Sequence, residues 1–226
     1  MNAFEPQKLL PTLPLQIANQ MADSIVEGRF PPGSRLRETE LALSFAVSRA
    51  TIREALRLLE QRKLVKIQPQ RGAHVTRLSA KELDDLFEVR ASLLGTGSRL
   101  AAARCTPVHA KALRGYLKKL HANLPNLTDY AATSADLVEY LMRMSENEVL
   151  IEYIRDFAQR IGRYVRLGLA TMERRQNSLV GWQTVIDAVI GDDGETADQQ
   201  HRKLALQNRA AALEEFERQN PSQATI

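Results

Sequence analysis

The strongest constraint on this chain lies between residues 49 and 76, where a helical period gives way to an extended one within a short stretch. Ile52, Ala55, Leu56 and Leu59 recur at spacings of three and four, which puts them on one stripe of a helix over 49–61. Arg49, Arg53 and Arg57 fall at i, i+4 and i+8, so three guanidinium groups share another, exposed face of that helix. Leu64-Val65-Lys66-Ile67 and Ala73-His74-Val75-Thr76 are then short β-branched runs separated by Gln68-Pro69-Gln70-Arg71-Gly72, the spacing of a hairpin with a basic tip.

Upstream, Leu15, Ile17, Ala18, Met21, Ile25 and Val26 predict a helix over 14–28, closed by Gly28 and Pro31-Pro32-Gly33. A second, short helix over 38–45 turns Leu41, Ala42 and Phe45 inward, and Val47-Ser48 forms a tight turn with Ser48 as N-cap of the next helix. Three small helices followed by a two-stranded wing form the winged helix-turn-helix layout, in which the third helix enters the major groove of DNA.

Charge agrees with that layout. Residues 1–78 hold twelve Lys/Arg against seven Asp/Glu, and 79–226 hold nineteen against twenty, so the net +4 is confined to the first third. Within 49–77 eight basic residues face only Glu54 and Glu60, a surface on which a polyanion can dock. An Arg early in an inserted helix can offer a fork to guanine O6 and N7, while hydroxyls reach phosphates or bases; Arg49, Arg53, Ser48 and Thr51 supply these groups. Arg71 and Gly72 would bring a cation and a bare backbone toward the adjacent groove or phosphates. Charge alone is equally compatible with a basic helix that merely stays solvated, and a winged helix also occurs as a protein-interaction module.

From residue 79 the pattern is helical throughout. Ser79-Ala80-Lys81-Glu82 is a capping box, and Thr106-Pro107 marks another helix start. Helices are predicted near 79–104, 107–122, 129–145, 148–172, 175–190 and 195–219, the last stopped by Asn220-Pro221. The expected architecture is therefore mainly α: a winged helix-turn-helix over 1–78 and an all-helical bundle over 79–226.

Other classes are excluded. Apolar residues make up 44% of the chain and charged ones 26%, a globular balance, and no apolar run approaches the ~20 residues of a membrane span. The N-terminus, with Glu5 and repeated prolines, does not look like a signal peptide, and the single Cys105 forms no internal disulfide, so a cytoplasmic location without membrane attachment is expected. No Ser/His/Asp or Cys/His set, P-loop or GxGxxG is discernible, which points away from an enzyme, and no cofactor motif is present.

Three segments, Gly28-Arg29-Phe30-Pro31-Pro32-Gly33-Ser34-Arg35-Leu36, Glu40-Leu41-Ala42 with Val47-Ser48-Arg49-Ala50-Thr51-Ile52-Arg53-Glu54-Ala55-Leu56, and Arg71-Gly72-Ala73-His74-Val75, resemble the N-terminal domain of GntR-type transcription regulators. Leu86-Phe87-Glu88-Val89-Arg90, continuing to Leu100-Ala101-Ala102, is similar to the FadR-type helical ligand domain of the same family. The resemblance covers about residues 14–216 and implies a homodimeric repressor or activator on a palindromic operator in double-stranded DNA, its affinity altered by a small metabolite, often an organic acid. It carries the DNA contacts onto Arg37, Ser48, Arg49, Thr51, Arg53, Arg71 and Gly72.

Many members of that subfamily hold a divalent metal through an Asp and a His one turn apart and two later His. Here the pattern breaks. If Asp136 is the family's Asp, the residue four later is Tyr140; if Ser145-Glu146-Asn147 anchors the alignment, the two positions are Ser134 and Val138. The later positions fall on Trp182 and near Leu204, with His201 one turn earlier, so at most Asp136 and His201 survive and no metal is expected.

The stripe Leu83, Phe87, Arg90, Leu94, Gly97, Ala101 turns a guanidinium toward the core, where it needs a partner. The commoner partner is an internal carboxylate, Asp136 or Glu139; the functional one is an effector carboxylate. Trp182 is in phase with Leu179, Ile186 and Val189, and His201 with Ala197, Leu204 and Asn208. Arg90, Tyr140, Trp182, His201 and Asn208 are accordingly the candidates to line a metal-free pocket for an acidic or aromatic effector. A competing expectation is a constitutive DNA-binding protein whose helical domain only dimerises, its pocket filled by side chains.

Overall fold

The computed structural model describes residues 11–219 and divides into two compact units at Arg77/Leu78. Residues 1–10, with Glu5, and the Asn220-Pro221 stop lie outside the described residues.

In the first unit α1 (Leu13–Val26) packs on α3 (Arg49–Gln61), and α2 (Glu38–Ser44) joins α3 through a turn whose Ala46 is left-handed (φ 53°). The Val47 amide closes that turn by donating to the Ala42 carbonyl at 3.0 Å. Ser48 caps α3 as expected, its hydroxyl accepting from the Thr51 amide. The four apolar residues predicted for the inner stripe of α3 are all buried, against Ile17, Met21 and Ile25 of α1.

The wing is β2 (Val65–Gln68) and β3 (Gly72–Val75), antiparallel with Val65 opposite Val75 and Gln68 opposite Gly72. A third strand the sequence did not predict, β1 (Arg35–Leu36), adds to the other edge of β3 and buries Leu36. Two residues are too few to show a period of two, so β1 exists only through its pairing with Ala73 and His74. At the tip Gln70 (φ 62°) and Gly72 (φ 84°) are both left-handed, a conformation glycine adopts without cost.

The second unit is all-helical: α4 (Ala80–Ala102), α5 (Pro107–Asn123), α6 (Leu127–Met144), α7 (Glu148–Leu167), α8 (Met172–Ile190) and α9 (Gly194–Gln219). No helix among the described residues is long and apolar enough to cross a membrane. The α4 N-terminus carries the expected capping box, and His109 completes a second one at Thr106. Central α4 touches α6, α7, α8 and above all α9, and its predicted stripe from Leu83 to Ala101 is buried throughout.

The helix predicted over 148–172 stops five residues early, at Leu167. The cause is Arg175, a buried residue on α8. Its Nη1 donates to the Leu169 and Ala170 carbonyls at 2.9 Å each, and its Nε to the Leu124 carbonyl at 2.7 Å. One guanidinium thus supplies donors to carbonyls of both the α5–α6 and α7–α8 connections, the buried Leu169 carbonyl among them. Arg175→Met is expected to destabilise the protein by about 3 kcal/mol in urea unfolding, because it strands these acceptors.

Candidate functional site

On the first unit, Ser48, Arg49 and Arg53 are exposed along one side of α3, and Thr51 is half-buried with its hydroxyl 2.8 Å from that of Ser48. Arg37 is exposed at the N-cap of α2, where Nη1 donates to Glu40 at 2.7 Å; Arg71 and Gly72 are exposed at the wing tip. The seven candidate positions are therefore accessible on or beside α3 and at the wing. One feature was not legible: Glu38, on the first turn of α2, accepts from Arg53 Nε at 3.2 Å and Nη2 at 2.9 Å, and lies 3.7 Å from Arg49 Nη2. The hydrogen bond from Arg53 holds the Glu38 carboxyl below the usual carboxylate range.

On the second unit, a cavity opens between α4, α6, α7, α8 and α9. Its polar lining is Arg90, Ser134, Arg174, Ser178, His201 and Asn208; Trp182, Leu94, Val138, Val165, Leu169, Leu204 and Ala205 form the apolar wall. No carboxylate is among them. The cavity volume is about 40 Å³, room for a few water molecules at ~10–15 Å³ of probe space each.

Arg90 is 9% exposed, and burial pushes its pKa down to about 10, so it remains a cation at neutral pH. Asp136 and Glu139, the internal partners expected for it, lie elsewhere: Glu139 pairs with Arg143 and with Arg155, and both carboxylates border a separate depression with Tyr116 and Tyr140. The expected internal salt bridge of Arg90 is absent among the described residues. Four of the five effector candidates, Arg90, Trp182, His201 and Asn208, meet at the cavity, whereas Tyr140 does not. Tyr140 stacks instead at 5.5 Å from Tyr116 of α5, on the other flank of α6.

His201 Nδ1 is 2.6 Å from the Ser98 hydroxyl, and its ring meets Trp182 edge-on at 5.0 Å. Burial first, and the charge of Arg90 second, push its pKa down to about 3, so the imidazole is neutral. Trp182 Nε1 donates to Ser134 at 3.1 Å. Asn208 Nδ2 donates to the Val165 carbonyl at 3.1 Å, while its Oδ1 and Arg174 Nε are buried without a hydrogen-bond partner among the described residues. Sequence reasoning missed Arg174 because the helix was expected to begin at 175, which left this residue outside the phase of its stripe.

The two residue pairs considered for the family's metal positions point to different places. Ser134 and Val138 face the cavity together with Trp182 and Leu204, and Asp136 faces away. A hydroxyl, an indole and two aliphatic side chains do not make a ligand set for a divalent ion, and His201 is the cavity's single imidazole. Among the described residues no group of three or more His, Cys, Asp or Glu converges.

A winged helix-turn-helix followed by an all-helical unit is the architecture of one class of winged-helix transcription regulators. Residues 13–75 match the bacterial regulatory proteins of the gntR family, residues 85–207 match the FCD domain, and the chain belongs to the GntR family with an FCD domain. It is 47% identical over 79 residues to the HTH-type transcriptional regulator YdhC of Bacillus subtilis, a match covering 35% of each chain. It is 32% identical over 196 residues to the HTH-type transcriptional regulator Rv0494 of Mycobacterium tuberculosis, covering 78% of this chain and 75% of that one. The first match thus spans about a third of its relative's length. In fold the chain is similar to E. coli McbR/YncC, with a TM-score of 0.82 at 21% identity over 92% of this chain and 100% of the other.

Two outcomes follow from the cavity's electrostatics. Arg90→Met removes a buried charge that has no counter-charge and is expected to stabilise the ligand-free protein by about 1–4 kcal/mol in urea unfolding. His201 binds its proton more weakly folded than unfolded, so its contribution is complete above pH ~6.5 and is lost as pH falls toward 3. Between pH 7.5 and 5.5, the upper end of that window, the stability of wild type should therefore fall by about 1.4 kcal/mol more than that of His201→Asn, read from urea denaturation at the two pH values.

Proposed function

We propose that this protein is a DNA-binding transcription regulator, acting as a homodimer on a two-fold-related operator, whose DNA affinity is altered by a small organic acid held in the helical unit. Family membership and the exposed arginines of α3 support the DNA half of this reading. Arg49 and Arg53 read bases, Ser48, Thr51 and Arg37 contact phosphates or base edges, and Arg71 with Gly72 brings the wing to the backbone.

The observation that carries the effector half is Arg90: a buried cation facing a cavity lined by no carboxylate. Such a charge costs several kcal/mol unless an anion completes it. A carboxylate would take the fork of Arg90, with Asn208, His201 and Ser134 as further hydrogen-bonding groups and Arg174 as a second cation. At about 40 Å³ the cavity is too small for an organic acid as it stands, so binding must widen it, and that gives the ligand a differential affinity for two states.

Trp182 is the only tryptophan of the chain, and its emission reports directly on this space. Titration with a panel of mono- and dicarboxylic acids should change Trp182 emission for at least one acid, and the same acid should shift binding to a fluorescent duplex selected from a random library. Both responses should vanish in Arg90→Met. Arg53→Ala is expected to cost about 1–3 kcal/mol on the selected duplex and to relax base choice at one position of each half-site. Equal losses on selected and random duplex would contradict a base-reading role.

The small cavity favours one alternative: a constitutive DNA-binding protein whose helical unit serves dimerisation, Trp182 having filled the pocket. Unchanged Trp182 emission and a flat DNA-binding response to every acid would select it.

A further inference from the structure

Glu38 is an acidic residue where the electrostatics of DNA binding would forbid one. It stands on the first turn of α2, half-buried, against two arginines of the exposed α3 face. Its carboxylate engages Arg53 through Nε and Nη2 at 3.2 and 2.9 Å, which occupies the side edge of the guanidinium. The end edge, formed by Nη1 and the second hydrogen of Nη2, carries none of the hydrogen bonds found for Arg53 among the described residues. That edge has the two parallel N–H groups a guanine O6/N7 pair requires.

A long arginine on a helix surface otherwise samples many rotamers and pays for fixing one on binding. A two-point carboxylate contact removes much of that freedom beforehand. It also sets a negative charge near the duplex, which lowers affinity for any DNA held through phosphates alone. The Glu38 carboxyl stays ionised at neutral pH because the same hydrogen bond holds its pKa low.

We infer that Glu38 is a specificity-determining positioning residue: it buttresses Arg53 so that the end edge of its guanidinium faces a guanine, and it penalises phosphate-only binding. This rests on the proposed role of α3 as the base-reading helix. Arg49 Nη2, at 3.7 Å from the same carboxylate, makes the weaker contact.

The test uses the full-length protein with two duplexes of equal length, one selected by the wild type from a random library and one of mixed sequence. Glu38→Ala is expected to bind the mixed duplex about 3–10-fold more tightly and to lower the ratio of selected to mixed affinity at least tenfold. Its log K against log salt plot should steepen by about one unit, since one neutralising charge has gone. Glu38→Gln keeps the side-chain length and one acceptor oxygen but loses the charge and replaces the second oxygen with an amide donor, so only one of the two contacts to Arg53 survives, and it is expected to follow Glu38→Ala in direction. In an Arg53→Ala background, either change should leave the affinity ratio unmoved.

A well-folded Glu38 variant whose affinity ratio and salt slope match the wild type would overturn the inference while leaving the base-reading helix intact. If Arg53→Ala itself left the ratio unchanged, or if the wild type selected no sequence, the reading of α3 and the role of Glu38 would both fall. Circular dichroism melts separate loss of fold from loss of selectivity.

Discussion

The helical unit depends on how closely α4 lies against α9. That approach is possible only because the facing positions of α4 are small: a Cβ at Gly95 would come within 2.6 Å of the Asp198 carboxylate and 2.7 Å of Arg202 Cγ. Ser98 continues the contact opposite His201, and Ala101 is buried in the same core as Ala197. With the two helices so near, the Ser98 hydroxyl can reach the His201 ring, and the Arg90 charge is felt at the imidazole it helps to keep neutral. Larger side chains at these positions would separate the helices and dissolve the geometry of the cavity.

A second set of contacts holds the floor of that cavity. Arg175 gathers three carbonyls from two connections, and Asn208 ties α9 to the Val165 carbonyl near the end of α7. Two buried arginines therefore behave oppositely. Arg175 is consumed by backbone acceptors and stabilises the fold; Arg90, a cation without a carboxylate, weighs against it. Stability given up at one residue in this way is the ordinary mark of a group kept for something other than packing.

Much of this was legible in the sequence, because amphipathic stripes and capping signals are local. The inner residues of α3, the α4 stripe through Arg90, the phases of Trp182 and His201 and the cap at Ser48 are all as their spacings imply. What was not legible depends on partners distant in the chain. Strand β1 has no pattern of its own. Tyr140 fell on the wrong side because α6 packs against α5 on one flank and α4 on the other, so Ser134 with Val138 and Asp136 with Tyr140 are equally good one-turn pairs. Only the packing distinguishes them. The fork between Arg53 and Glu38 crosses from one helix to another over fifteen residues and leaves no periodic trace.

A neutral His201 has a further consequence. With its imidazole deprotonated above about pH 3 and Arg90 protonated up to about pH 10, the cavity keeps these two groups in constant charge states across the whole range in which cells live. Its pull on an anion is then indifferent to acidity. Any pH dependence of anion affinity would belong to the anion's own ionisation or to a proton taken up in the complex, so it would inform on the guest more than on the host.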